Sequence, residues 1–211
     1  MPRRAPDGGV PAPAVPEARL ADDWERVEDT TETLFGVDGA DVRGHTLVYE
    51  DTDLREAVRA ATDDAVDQSW RFVFATRLVF RPPLAPGIGA AMVLPTVKRE
   101  AVGRFAADLE ARGVADVERG RRERTRTEDG SRVTLRQVTG EVRLPEGDTV
   151  PVEGWVGAWT DGDIHLAGGA YPRTPLADAF DTDATGDSGG TLDGQPGEYR
   201  SELFEFFRAV G

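Results

Sequence analysis

The sequence predicts an α+β domain: a mostly antiparallel sheet of about five to seven strands packed with three helices. Three observations carry that expectation. Residues 70–80, WRFVFATRLVF, alternate between an aromatic series (Trp70, Phe72, Phe74, Phe80) and a smaller one (Val73, Ala75, Val79), the period of a strand with one face on a core. Residues 115–171 hold several alternating stretches separated by Gly- and Asp-bearing turns, as in an antiparallel meander. Three windows carry helical spacing instead, near 53–67, 95–112 and 198–210. Strands and helices do not alternate throughout, and no Gly-rich phosphate loop follows a strand. A dinucleotide-binding fold or a parallel barrel is therefore not expected.

Taken in order, the Pro/Ala-rich residues 1–20 read as a disordered tail, with residues 21–211 as a single domain. Residues 24–35 are a Thr-rich candidate strand, 37–41 a turn, and 43–50 a strand. Asp51, Thr52 and Asp53 offer an N-cap to a helix over 53–67, with Leu54, Val58, Ala61 and Ala65 along one stripe. After the aromatic strand, residues 82–97 carry no charge and feed a second helix, with Pro95 placed at its first turn. Val102, Phe105 and Leu109 give that helix a core side, and Gly113 ends it. The meander follows, then an acidic Gly-rich loop over 181–197. An amphipathic C-terminal helix over 198–210 is anchored by Tyr199, Leu203, Phe206, Phe207 and Val210.

Composition narrows the chemistry. The 211 residues contain no cysteine and two histidines, His45 and His165. Thiolate metal sites, cysteine nucleophiles, disulfides and a three-histidine zinc site are thereby excluded. The net charge is −14, from 39 acidic against 25 basic residues, and Lys98 is the one lysine. Short carboxylates hold water well, whereas a lysine stem exposes methylenes. Molar salt shortens the Debye length to about 3 Å, so such acidity is tolerable in brine. We therefore expect the charge to report the solvent, not a basic partner. No run is long and apolar enough to span a membrane, and the proline-broken start lacks a signal peptide's apolar stretch. A cytoplasmic protein is expected.

The densest stretch is GWVGAWTDGDIHLAGGAYP, residues 154–172. A two-residue turn at Asp161-Gly162 would set Trp159 opposite Ile164, Gly157 opposite Leu166 and Trp155 opposite Gly168, all on one face. Large side chains would then lie over small ones as sheet core. Alternatively Trp155, Trp159, His165, Gly168, Gly169 and Tyr171 could form a ligand platform. Gly168-Gly169 signals a bulge or a close approach by backbone or helix. His45 and His165 with a carboxylate are weak candidates for a metal site, lacking any spacing motif. No metal or cofactor is expected.

Two further surfaces are open to function. RGRRERTR, residues 119–126, concentrates arginine in an acidic chain. A three-residue loop at Glu128-Asp129-Gly130 would pair Arg126 with Arg132, Arg124 with Thr134 and Arg122 with Arg136, displaying five arginines on one side. Such a face is either an anion site or a solvated surface, and the lack of interleaved aromatics disfavours nucleic acid. The uncharged segment 82–97, with Ile88 and Met92, is either buried or a docking surface for a protein or small apolar ligand.

The strings HTLVYEDTDLREAVRAAT, WRFVFATRLVFRPPL, GWVGAW and HLAGGAYP resemble a family of uncharacterised proteins from halophilic archaea, over roughly residues 24–172. The resemblance implies no activity and assigns no residue a role. The expected function is a non-enzymatic domain that binds a partner or small ligand. The alternatives are a metal-dependent or acid–base enzyme using His45 and His165, or anion or RNA binding through the Arg-rich hairpin.

Overall fold

A computed structural model describes residues 9–20, 23–37, 39–84, 87, 89–145, 147–180 and 189–211. The chain forms an α+β fold around one seven-stranded antiparallel sheet. The strands are β1 (Trp24–Val37), β2 (Ala40–Asp51), β3 (Phe72–Arg81), β4 (Val114–Arg126), β5 (Arg132–Arg143), β6 (Thr149–Thr160) and β7 (Ile164–Pro172). The main helices are α1 (Thr52–Ala61), α2 (Ala90–Ala111) and α5 (Pro196–Ala209), with single turns α3 (Leu176–Ala179) and α4 (Gly189–Leu192).

Strand order is β1-β2-β3-β7-β6-β5-β4. Two meanders, β1–β3 and β4–β7, therefore meet at one seam between β3 and β7. The chain must pass from central β3 to the far edge at β4, a lateral step of about 19 Å for four strand spacings. The 22 residues of α2 are about 33 Å long and make the crossing over one sheet face. Their buried stripe, Val93, Val97, Ala101, Phe105 and Leu109, has strict four-residue spacing. Helix α5 covers the other face.

The sheet is thinned by glycine where the helices approach. A methyl group on Gly154 would lie 2.7 Å from the Phe105 ring, and one on Gly168 would run into the Phe74 ring. On the opposite face a methyl group on Gly169 would stand 2.9 Å from Leu203 of α5. The Gly168-Gly169 pair is thus a close approach from both sides. The even residues of β3, including Phe72, Phe74 and Leu78, face α2, so the aromatic series does meet a helix.

Several local expectations are revised. Helix α1 stops at Ala61 rather than near 67. The Thr62 hydroxyl donates to the Val58 carbonyl, and Asp63 and Asp64 take positive φ, which ends the helix six residues early. Its start is as read: Asp51 caps it, accepting from the Leu54 amide at 3.0 Å. Helix α2 begins at Ala90, so Pro95 lies inside it and not at its first turn. Residues 90–97 of the uncharged segment become its first two turns. Composition assigns residues 1–20 to a disordered tail. Residues 9–20 instead lie against the sheet, with Val10 buried and Ala14 exchanging backbone hydrogen bonds with Gly211. Residues 1–8 and 181–188 fall outside the described residues, while Leu192 of the acidic loop's second half is buried.

The β6–β7 register also differs from expectation. The loop has three residues, 161–163, so Trp159 pairs with His165, Gly157 with Ala167 and Trp155 with Gly169. A one-residue slip moves a strand's side chains to the other face. His165 therefore joins the indoles, while Ile164 and Leu166 face α2. The longer loop frees both aspartates for partners: Asp161 accepts from His165 Nε2 at 2.9 Å, and Asp163 pairs with Arg77. The β4–β5 hairpin has the expected register, with Gly130 in the positive-φ region.

Candidate ligand pocket

Because α2 runs diagonally over a wide sheet, it leaves a hollow on each flank. The hollow toward β1–β3 has a volume of about 350 Å³. Its floor is aromatic and aliphatic: Phe72 and Phe74 from β3, Phe105 from α2, with Val48 and Leu166 beside them. The ring of Phe105 lies 6.4 Å from Phe72 and 5.8 Å from Phe74, both tilted. Leu34 and Phe35 of edge strand β1 close the outer wall.

The rim is charged. Glu28 and Glu32 stand on β1, and Arg104, Asp108 and Arg112 repeat every fourth residue along α2. Arg104 donates to Glu32 at 2.8 Å and to the Leu34 carbonyl at 3.1 Å, tying the helix to the edge strand. The Arg112 guanidinium sits 4.2 Å from the centre of the Phe72 ring. Asp108 keeps an exposed edge, but loss of water on its inner side raises its carboxyl above the ordinary range. Nearby Arg104 and Arg112 pull it back, and Glu28 and Glu32 add to the rise. Both arginines are engaged, so the rim offers a ligand carboxylate oxygens.

The sequence singled out the aromatic strand but not these rim residues. Their spacing, 104-108-112, was the available signal. A solvated helix face has the same spacing, so the signal alone could not identify a rim.

Apart from Gly168, which faces Phe74 on the α2 side, the proposed platform residues lie on the α5 face. Trp155 is 0% exposed and meets Phe204 of α5 edge-on at 5.4 Å. Trp159 is buried and stacks on His165 at 5.8 Å. Tyr171 donates to buried Glu153 at 2.6 Å, and Trp155 Nε1 donates to the same carboxylate at 2.8 Å. Glu153, Tyr171 and Trp155 satisfy one another inside the packed face, whereas Trp159 Nε1 and His165 Nδ1 are buried without a hydrogen-bond partner among the described residues. His45 stands between the Val10 carbonyl (3.0 Å) and Asp29 (2.8 Å). Strand pairing sets Arg77 between His45 and His165. A guanidinium between two imidazoles, each with its own aspartate, does not form a metal site. Among the described residues no three His, Asp or Glu side chains gather to hold an ion. Met92 is 67% exposed on α2, while Ile88 falls outside the described residues.

The second hollow, toward β4–β6, has a volume of about 430 Å³ and includes Arg122 and Arg136 of the hairpin. Arg124, Arg126 and Arg132 continue toward the hairpin tip, where Arg126 donates to the Gly130 carbonyl at 3.1 Å.

Fold and hollows together define a helix-on-sheet α+β domain with concave sites under its longest helix. Among the described residues no helix is long and apolar enough to cross a membrane. The chain belongs to the DUF6517 family, a domain of unknown function, which matches residues 12–211. No curated protein and no solved structure matches it.

Proposed function

We propose that the domain binds a small apolar molecule, without catalysis, in the hollow between α2 and strands β1–β3. The observation that carries this reading is the roughly 350 Å³ space floored by three phenylalanines and rimmed by carboxylates. Ligand sites combine a mainly apolar lining with a few polar groups that fix orientation. The rim favours a ligand with an apolar body and one donor end, an amine or hydroxyl, directed at Asp108 or Glu28.

The test uses N-phenyl-1-naphthylamine, an apolar fluorescent amine. Its emission should rise saturably on adding the protein. Leu34→Trp, which enlarges a half-buried wall residue, should weaken binding about tenfold or more while circular dichroism stays unchanged. Lys98→Ala, on the other flank, should leave binding intact. Dye binding unaffected by Leu34→Trp would place it elsewhere and end this reading.

The excess of carboxylates and the preference for arginine over lysine support a second proposal, adaptation to a concentrated-salt cytoplasm. The melting temperature should rise steadily from about 0.1 M to about 2 M KCl, as screening relieves self-repulsion. A flat or falling salt profile in a thermal scan would remove the basis for it.

A further inference from the structure

We propose that the hollow on the β4–β6 flank of α2 binds a small phosphate-bearing anion. Five cations line it: Lys98 and Arg99 from α2, Arg119 and Arg122 from β4, and Arg136 from β5. Among the described residues no carboxylate lines it, in a chain whose acids outnumber its bases 39 to 25.

The cluster is built by the backbone. Residues three apart on a regular strand point to opposite faces. A bulge between Arg119 and Arg122 cancels that alternation: Arg119 pairs with Val138 and Arg122 with Arg136, two residues of the same β5 face. Gly120 lies within the bulge, where a methyl group would stand 3.1 Å from the Gln137 amide carbon. Regular pairing would have turned Arg119 away from α2.

The cations are also uncommitted. Several arginines elsewhere have carboxylate partners: Arg55 with Asp67, Arg71 with Asp51, Arg104 with Glu32, Arg200 with Glu123. Lys98, Arg119, Arg122 and Arg136 make no ion pair or side-chain hydrogen bond among the described residues. Arg99 reaches only its neighbour Glu100, at 3.4 Å. Loss of water around Lys98 lowers its pKa, with no carboxylate to offset the effect. Like charges gathered without counter-charge repel, and a bound anion removes that cost. The guanidinium fork matches phosphate oxygens. The floor between the cations is aliphatic and small, Val156, Gly157 and Ala158, which suits a compact ester and offers no aromatic face to a nucleobase.

Calorimetric titration at constant chloride, with inorganic phosphate, pyrophosphate, citrate and a single-stranded RNA 12-mer as separate probes, tests this. Pyrophosphate should bind saturably with unit stoichiometry and raise the melting temperature; inorganic phosphate should bind more weakly, and citrate weaker still. Arg122→Ala and Arg136→Ala should each weaken pyrophosphate binding roughly tenfold or more, the weight of one charge-assisted hydrogen bond. Arg132→Ala, nearer the hairpin tip, should not. Both positions keep solvent contact, so the variants should remain folded, with unligated melting temperatures at or above that of the parent. Equal affinities across parent and variants, citrate binding as tightly as pyrophosphate, or RNA binding tighter than either would overturn the proposal.

Discussion

Truncating Trp155 to alanine is expected to lower the unfolding free energy by about 4–5 kcal/mol, the top of the range for a buried aromatic. The indole is fully enclosed and edge-on to Phe204. The loss goes beyond a cavity, because Nε1 is one of three donors to Glu153, with Tyr171 at 2.6 Å and Gln137 at 2.8 Å. Burial alone would raise the Glu153 carboxyl, but these donors outweigh it and hold its pKa below the ordinary range. A carboxylate depressed in this way contributes stability above its unfolded pKa and loses it as pH falls through the folded value. Removing a donor shrinks that contribution, so the gap between parent and Trp155→Ala should narrow on acidification. Trp155→Phe keeps most of the packing and should cost about 1–3 kcal/mol. Urea denaturation at neutral and acid pH measures all three. A loss under about 2 kcal/mol for the alanine variant would mean that the indole does not hold sheet to helix.

Arg71→Met should cost about 3–5 kcal/mol at neutral pH, the penalty for leaving a buried ion without its partner. Arg71 pairs with Asp51 at 3.0 Å and with Glu202, between the rings of Trp24 (4.7 Å) and Tyr199 (4.4 Å). Asp51 is buried and also caps α1, so the guanidinium ties the helix start to the sheet and to α5. Burial raises the Asp51 pKa even with the Leu54 amide and Arg71 opposing it. For a carboxyl raised on folding, the native state binds the proton more readily, so stability declines as pH rises through the folded value. Losing Arg71 raises that value further. The variant should therefore regain stability relative to the parent as pH falls through the raised Asp51 pKa. Asp51→Asn in the same background should recover part of the deficit at pH 7. A pH-independent deficit, unchanged by Asp51→Asn, would show that the aromatic sandwich and not the ion pair matters.

The β4–β5 hairpin shows where local chemistry suffices. Gly130 can take the left-handed turn position, and alternation then leaves one register that separates Val133 and Leu135 from the arginines. The Asp161-Gly162 turn shows where it does not. Both loop lengths suit that dipeptide, and the choice falls to Arg77, distant in sequence, and to His165 four residues on, which claim the two aspartates. The end of α1 was likewise decided by a threonine hydroxyl and two positive-φ aspartates inside a helical pattern. At the candidate pocket, the phenylalanines were legible as a core face because alternation marks them. The hollow beside them was not, because it depends on the line α2 takes across the sheet. The cationic cleft was half legible: Arg122 and Arg136 follow from register, whereas Arg119, Lys98 and Arg99 arrive through a bulge and a packed helix.

The seam between the two meanders bears on how the molecule is born. Strands β1–β3 leave the ribosome first and can pair at once, but the free side of β3 is destined for β7, emerging only after α2 and three more strands. At about 5–20 residues per second, nascent β3 waits several seconds with its Phe-rich ladder unpaired. Throughout that interval the open edge of β3 is where another chain could add a strand.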